Sequence, residues 1–420
     1  MSPGRRVAPG GRDPGPPDAG LVAGVRSRLA GAPGVPPLSA PGGAIAVPSA
    51  AAVVSAVDAA RGGLGARGAL EAAGPVRAAL SGAGALQPLL DDVRVTDVLV
   101  NGPGQVWVDA GRGLRRVDVD VGGEAHLRAL AVRLAVGCGR RLDESSPCVD
   151  GRLPDGVRLH AVLPPISPVG TLLSLRVPRR VTLDLEELVR SGSVPAPWAP
   201  VLVAVMGTRL AFLVSGGTGS GKTTVLSTLL SLADPGERVV LVEDTGELRP
   251  ALPHVVRLEA RQGNTDGAGS LTLAELVRQA LRMRPDRLVV GECRGAEVRE
   301  LLTALNTGHE GGCGTVHANT VEDVPARLEA LGALAGLDRA ALAAQAASAL
   351  DVVLHLRRAG GPAGPRRLVG IGVVERAGDR LTVTSALEAD PAEPQALGRR
   401  GPGWPRLLER LGTCEAQMWS

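Results

Sequence analysis

The strongest constraint on this chain is an eight-residue run that follows an apolar segment. Residues 216–223 (GGTGSGKT) match the pattern G-x-x-x-x-G-K-[ST] at every fixed position. The apolar residues 210–215 predict a strand before the run, and residues 223–233 predict a helix after it. A strand, a glycine turn and a helix N-terminus together bind phosphate, because backbone N–H groups and the helix dipole point at one anion. A chance glycine-rich turn is the alternative, and the flanking strand and helix argue against it.

This run predicts a site for ATP and Mg²⁺. The expected nucleotide-binding residues are Gly216, Gly217, Thr218, Gly219, Ser220, Gly221, Lys222, Thr223 and Thr224. Lys222 would reach the β- and γ-phosphates, and the Thr223 hydroxyl would ligate Mg²⁺. Lys222 is also the only lysine in the 420 residues. We interpret it as a position where a planar guanidinium cannot replace a compact ammonium.

Two acidic residues follow apolar strand patterns further along the chain. Glu243 follows residues 239–242, and Glu292 follows residues 287–290 after Gly291. Carboxylates at the C-terminal ends of parallel strands gather at one sheet edge, beside the phosphate loop. One carboxylate would complete the Mg²⁺ shell, and the other would orient or deprotonate the attacking water. Either residue alone could instead cap the next helix.

A histidine follows a third strand-like segment. His317 comes directly after residues 314–316, which places it within possible reach of the γ-phosphate or its water. A lone histidine is more often a hydrogen-bonded core or surface residue, and the local sequence leaves both interpretations open.

Composition and pattern divide the chain into five segments. We expect a disordered Pro/Gly/Ala-rich tail at 1–45, an Ala-rich helical segment at 46–85 and a small α+β domain at 86–194. Residues 195–387 alternate strands with helices, which predicts an α/β domain with a mainly parallel sheet covered on both faces. Residues 388–420 are expected to be a flexible tail.

Charge, cysteine use and hydropathy exclude several classes of protein. A net charge of +3 is small for a chain that coats nucleic acid. The five cysteines show no CxxC spacing and predict reduced thiols rather than a zinc site or a disulfide framework. The most apolar stretch, 201–214, is too short to span a bilayer. We therefore expect a cytoplasmic protein whose membrane role is peripheral.

Four motifs in order resemble the secretion ATPase superfamily, which powers type II and type IV secretion and type IV pilus assembly. They are GGTGSGKTT, VEDTGEL (the acidic box), LRMRPDRLVVGECRG (the Walker B region) and ALNTGHEGGCGTVHAN (the histidine box). The upstream text VTDVLVNGPGQVWVD and DESSPCVDGRLPDGVRLHAVLPP is similar to the tight-adherence (Tad/Flp) pilus and conjugal-transfer branch. The resemblance covers about residues 86–385.

The resemblance implies a RecA-like P-loop motor domain behind a smaller α+β domain. It also implies a homo-hexamer, nucleotide held between the two domains, and inner-membrane platform proteins as partners at the cytoplasmic face. In this family Glu243 would be the catalytic base, Glu292 the Walker B glutamate near Mg²⁺, and His317 the histidine-box residue. Arg152 and Arg261 resemble arginines that neutralise phosphate charge. Nearby arginines remain alternatives for that role: Arg158, Arg176, Arg257 and Arg282.

Three functions remain for comparison. The first is a motor for pilus assembly or secretion, and the second is a RecA-like nucleic-acid translocase or conjugative DNA-transfer ATPase. Such translocases usually offer aromatic stacking surfaces, whereas this chain has no tyrosine and one phenylalanine, so we expect no direct nucleic-acid binding. The third is a nucleotide-binding regulator without turnover, against which Lys222, Glu243 and Glu292 argue.

Overall fold

The computed structural model describes residues 82–414 apart from 112, 179–181, 262–268 and 361–363, together with scattered helical residues between 21 and 76. The chain forms two compact units, Met1–Arg179 and Arg180–Ser420. Most of the tail expected to be disordered, 1–45, lies outside the described residues. Among the few described residues of this segment, Leu21 and Val25 are buried in a cluster with Val53 and Val57.

The first unit is built on an antiparallel sheet. Its strands are β1 Asp97–Asn101, β2 Val106–Asp109, β3 Leu114–Val117, β4 Cys148–Arg152, β5 Arg158–Val162 and β6 Leu172–Arg176. They lie in the order β3-β2-β1-β6-β5-β4. Helices α1 Ala50–Ala60, α2 Gln87–Asp91 and α3 Glu124–Gly137 accompany them. One face of α3 is buried in the core of this sheet through Leu127, Leu130 and Leu134.

The second unit contains a larger mixed sheet. Its strands are β7 Phe212–Gly216, β8 Val239–Glu243, β9 Val255–Glu259, β10 Arg287–Cys293, β11 Cys313–Val316, β12 Val352–Arg358, β13 Arg366–Ala377, β14 Arg380–Glu388 and β15 Arg399–Arg400. Among the described residues their order is β15-β14-β13-β12-β7-β11-β10-β8-β9. The strands from β12 to β9 are parallel, and β13 to β15 extend the sheet antiparallel.

Helices cover both faces of this sheet. They are α4 Leu185–Arg190, α5 Ala199–Gly207, α6 Lys222–Leu230, α7 Leu273–Ala280, α8 Glu297–Leu305, α9 Val324–Leu334, α10 Arg339–Ala349 and α11 Trp404–Arg410. Along β8, Val239 and Leu241 enter one core while Val240 and Val242 enter the other. Both faces of a parallel strand are therefore buried, as the near-continuous apolar runs in the sequence predict. Among the described residues, no helix combines the length and apolar character needed to cross a membrane.

Two expectations about domain ends are wrong. The units divide at Arg179/Arg180 rather than at 194/195, because Leu188 of α4 packs in the core of the second unit. The expected flexible tail at 388–420 contains β15 and α11. Trp404, Leu407 and Leu411 are buried in that same core, and their spacing forms one apolar helix face among the prolines and glycines.

A buried ion-pair cluster closes the other end of the parallel strands. Arg287, at the start of β10, is 1% exposed and bonds Glu237 as well as the carbonyls of Met206 and Gly311 (2.8 and 3.2 Å). Arg209 contacts the same Glu237 carboxylate at 2.8 Å. These contacts join the chain segments before β7, β8, β10 and β11, on the edge opposite the phosphate loop.

Candidate active site

The run 216–223 forms a turn between β7 and α6. Gly216, Gly219 and Gly221 have positive φ values of 148°, 67° and 99°, which glycine adopts without steric cost. A Cβ at Gly216 would lie only 2.4 Å from the Leu356 carbonyl oxygen of β12. The loop therefore sits directly on the neighbouring strand, and α6 begins at Lys222 with its N-terminus at the loop.

The Lys222 ammonium is held inside the loop. It donates to the carbonyls of Gly216 and Gly217, both at 2.9 Å, and its side chain is 7% exposed. Burial lowers the Lys222 pKa, partly offset by the charge of Glu292. The amine thus lies where an anion cradled by the loop would meet it.

Glu243 ends β8 and is almost fully buried, at 3% exposure. Its Oε1 accepts the backbone N–H groups of Glu247 and Leu248 at 2.9 and 3.0 Å. Its Oε2 has no hydrogen-bond partner among the described residues. Burial raises the pKa of Glu243 to about 7, against the lowering effect of the two backbone bonds. A carboxylate with a pKa near neutrality and an uncommitted oxygen suits proton transfer.

Glu292 and His317 lie beside the lysine. Glu292 belongs to β10 itself, which runs to Cys293, instead of following the strand as the sequence predicted. Its Oε1 is 2.6 Å from His317 Nε2, and its Oε2 is 2.5 Å from Arg294. His317 Nε2 is also 3.4 Å from Lys222 Nζ. Burial, and then the Lys222 charge, lower the His317 pKa, which favours the neutral imidazole.

Thr223 lies in the first turn of α6, directly after Lys222 and next to Thr224. Its hydroxyl is 3.5 Å from Oε2 of Glu247, a residue that the sequence analysis did not select. The sequence did offer a signal for Glu247, because it lies four residues after Glu243 in the same acidic box. A hydroxyl and two carboxylates, Glu247 and Glu292, near a phosphate loop are oxygen donors that suit Mg²⁺, which needs few protein ligands beside phosphate and water.

The two arginines taken from the family resemblance each donate to a backbone carbonyl near their own strand. Arg152 lies on β4 of the first unit and donates to the Gly156 carbonyl at 3.3 Å. Arg261 follows β9, the outermost parallel strand, and donates to the Gly269 carbonyl at 2.6 Å. β9 is four strands from β7, roughly 19 Å at the usual strand spacing. Both assignments stay predictions.

Further residues near the loop lie on β12 and β13, and no sequence motif indicated them. His355 is buried, with Nδ1 2.8 Å from the Ser215 hydroxyl and Nε2 3.1 Å from the Asn319 carbonyl. Because the carbonyl only accepts, Nε2 carries the proton and Nδ1 accepts from Ser215. His355 thus connects the strand before the phosphate loop to the segment after His317. Arg358 and Arg366 also approach the loop.

Comparison with known proteins finds a matching family, similar sequences and a similar fold. A family model described as "Type II/IV secretion system protein" matches residues 79–386. A putative conjugal transfer protein of Mycobacterium tuberculosis is 54% identical over 317 residues, covering 74% of this chain and 90% of that protein. The type IV secretion system protein PtlH of Bordetella pertussis is 34% identical over 315 residues, covering 68% and 92%. The ATPase DotB of Yersinia pseudotuberculosis has a similar fold, with a TM-score of 0.50, 15% identity and coverage of 70% and 79%.

Proposed function

The chain belongs to the type II/IV secretion system protein family, and we propose that it hydrolyses ATP to drive transfer across the cell envelope. The observation that carries the proposal is the convergence on one sheet edge. Lys222 in the phosphate loop, His317 after β11 and Glu292 on β10 form one contact chain of 3.4 and 2.6 Å. Glu243, on the adjacent β8, lies at the same edge.

The residues divide the chemistry between them. The backbone of 216–224 and the Lys222 ammonium hold the triphosphate and stabilise the charge that develops on it. Glu243 orients a water and takes its proton while the water oxygen bonds to the γ-phosphorus. The bond from that phosphorus to the bridging oxygen then breaks, and ADP leaves. His317, neutral and next to both Lys222 and Glu292, is placed to sense whether the γ-phosphate is present.

Thr223, Glu292 and Glu247 would hold Mg²⁺, which would neutralise phosphate charge in this site. This adds Glu247 to the pair expected from the sequence. The arrangement leaves Glu243 free as a base, since its Oε1 is committed to backbone N–H groups and its Oε2 is not.

The finer assignments also belong to this proposal. We propose a homo-hexamer that works with inner-membrane platform proteins of a Tad/Flp-type pilus or related apparatus, at the cytoplasmic face of the membrane. Arg152 and Arg261 would neutralise phosphate charge. The support is the family membership and the resemblance of residues 95–109 and 143–165 to that branch.

A conjugative DNA-transfer ATPase is the second candidate, favoured by the similarity to the putative conjugal transfer protein of Mycobacterium tuberculosis. The two candidates differ in their response to nucleic acid. Single- or double-stranded DNA should leave the ATPase rate unchanged in a pilus or protein-secretion motor, whereas a DNA translocase should be stimulated.

The direct test is phosphate release from ATP by the purified full chain with and without Mg²⁺. Glu243→Gln should bind ATP and fail to cleave it, whereas Glu292→Gln should raise the Mg²⁺ concentration that hydrolysis requires. Normal hydrolysis by Glu243→Gln together with loss of hydrolysis in Glu292→Gln would show that Glu292 is the base and that the two roles are assigned the wrong way round. No hydrolysis by the wild-type chain in its oligomeric state would refute the proposed function.

A further inference from the structure

Four arginines occupy two neighbouring cross-strand pairs where β12 ends and β13 begins. Arg358 lies opposite Arg366, and Arg357 lies opposite Arg367. The sequence from 352 to 374 contains no aspartate or glutamate. Because successive strand residues point to opposite faces, Arg358 and Arg366 share one face of the hairpin and the other two arginines share the opposite face.

The face with Arg358 and Arg366 adjoins the phosphate loop. β12 pairs in parallel with β7, and Leu356 lies beside Gly216, where the loop begins. A Cβ built on Gly219 would be 3.8 Å from Arg358 Cζ, and one on Gly221 would be 3.4 Å from Arg366 Cδ. Both side chains therefore run along the loop on its β12 side. Lys222 contacts His317, which follows β11 on the other side of β7.

The planar guanidinium fork matches phosphate oxygens in geometry. The fold thus places two arginine side chains against a loop whose backbone already suits phosphate.

We infer that Arg358 and Arg366 bind the polyphosphate chain of the nucleotide from the β12 side, distant from the γ-phosphate end. The inference rests on the proposed function for its ligand, a nucleoside di- or triphosphate. Residues that surround the reacting phosphate would be Lys222, His317 and the carboxylates. Arg358 and Arg366 would hold ATP and ADP equally, which strengthens binding without changing the hydrolysis step.

The test measures nucleotide affinity and turnover in Arg358→Gln and Arg366→Gln. Each should weaken binding of both ATP and ADP by about 10- to 100-fold, the effect of losing one charge-assisted hydrogen bond. Turnover at saturating ATP should stay within about twofold of wild type. The matched control is Arg357→Gln, an exposed arginine on the opposite face of the same hairpin, which should bind both nucleotides normally.

Calorimetric ADP binding separates this inference from the proposed function. Wild-type ADP affinity in both glutamine variants would overturn the inference, as would a loss of turnover with unchanged affinity. If the glutamine variants fail to fold, Arg358→Lys and Arg366→Lys keep the charge and remove the fork. Unchanged ADP affinity in them would equally overturn it. An arginine-dependent ADP site in a chain that never hydrolyses ATP would support the inference and refute the motor.

Discussion

The carboxyl side chain of Glu243 lies directly against the backbone of Gly291. A Cβ atom at Gly291 would be 2.6 Å from Glu243 Cγ and 3.2 Å from its Oε1. β8 and β10 are adjacent, and their paired residues Val242 and Val290 immediately precede these two positions. Because Gly291 has no side chain, the side chain of the proposed catalytic base, Glu243, fits against its backbone.

Replacing Gly291 with alanine should displace Glu243 without removing it. We expect ATP hydrolysis to fall by about 100-fold or more, the usual scale for loss of a general base, while nucleotide affinity changes little. Steady-state hydrolysis and calorimetric ADP binding would measure the two effects. The matched control is Gly207→Ala in α5, where an added Cβ meets nothing within 4 Å. Wild-type turnover in Gly291→Ala would contradict the assignment of Glu243.

Burial of Glu243 predicts a pH-dependent stability difference. Its folded pKa of about 7 lies above the ordinary value of 4.5, so the fold favours the protonated carboxyl. The resulting contribution to the free energy of unfolding is fully present below pH 4.5 and is lost as the pH rises through 7. The loss amounts to about 3 kcal/mol at 1.36 kcal/mol per pKa unit. Nucleotide-free Glu243→Gln should therefore gain Tm relative to wild type between pH 5 and pH 8. A difference that stays constant with pH would show that Glu243 is not desolvated.

The buried cluster around Glu237 predicts a stability defect without a chemical one. Glu237→Gln leaves Arg287, which is 1% exposed, without its charged partner. Removing one partner of a buried ion pair lowers the free energy of unfolding by about 3–5 kcal/mol, which thermal unfolding would detect. Glu329→Gln, which breaks a more exposed pair with Arg339, should cost under about 1 kcal/mol. At a temperature where Glu237→Gln stays folded, its ADP affinity should match wild type, since the cluster lies on the opposite sheet edge. Equal stability of both variants would contradict this account.

The sequence predicted the parallel sheet and the phosphate loop because both depend on local signals. The apolar runs before Gly216 and Glu243, and the glycine pattern up to Lys222, each specify their own stretch of chain. The register between strands is not local. Pairing of β12 with β7 brings His355 to Ser215 and Arg358 to Gly219, although about 140 residues separate these partners in the sequence. Motif spacing gave no indication of those contacts.

The error at the C-terminal segment has a related cause. Residues 388–420 are rich in proline and glycine, which suggested a flexible tail, whereas Trp404 and Leu407 bury one helix face in the core of the second unit. The sequence analysis placed Glu292 after a strand pattern at residues 287–290. Pairing with β11 extends β10 to Cys293, with an irregular register after Val290.

The central claim is that the Lys222 ammonium and the nearby carboxylates act together on a triphosphate. Its most direct test is phosphate release from Mg²⁺-ATP by the full chain and by Lys222→Ala, with Arg357→Ala as a control for loss of a cation elsewhere. The account predicts a loss of at least about 100-fold in Lys222→Ala, the scale seen when a charge-stabilising group is removed, and a wild-type rate in the control. Turnover in Lys222→Ala equal to that of the wild-type chain would contradict it.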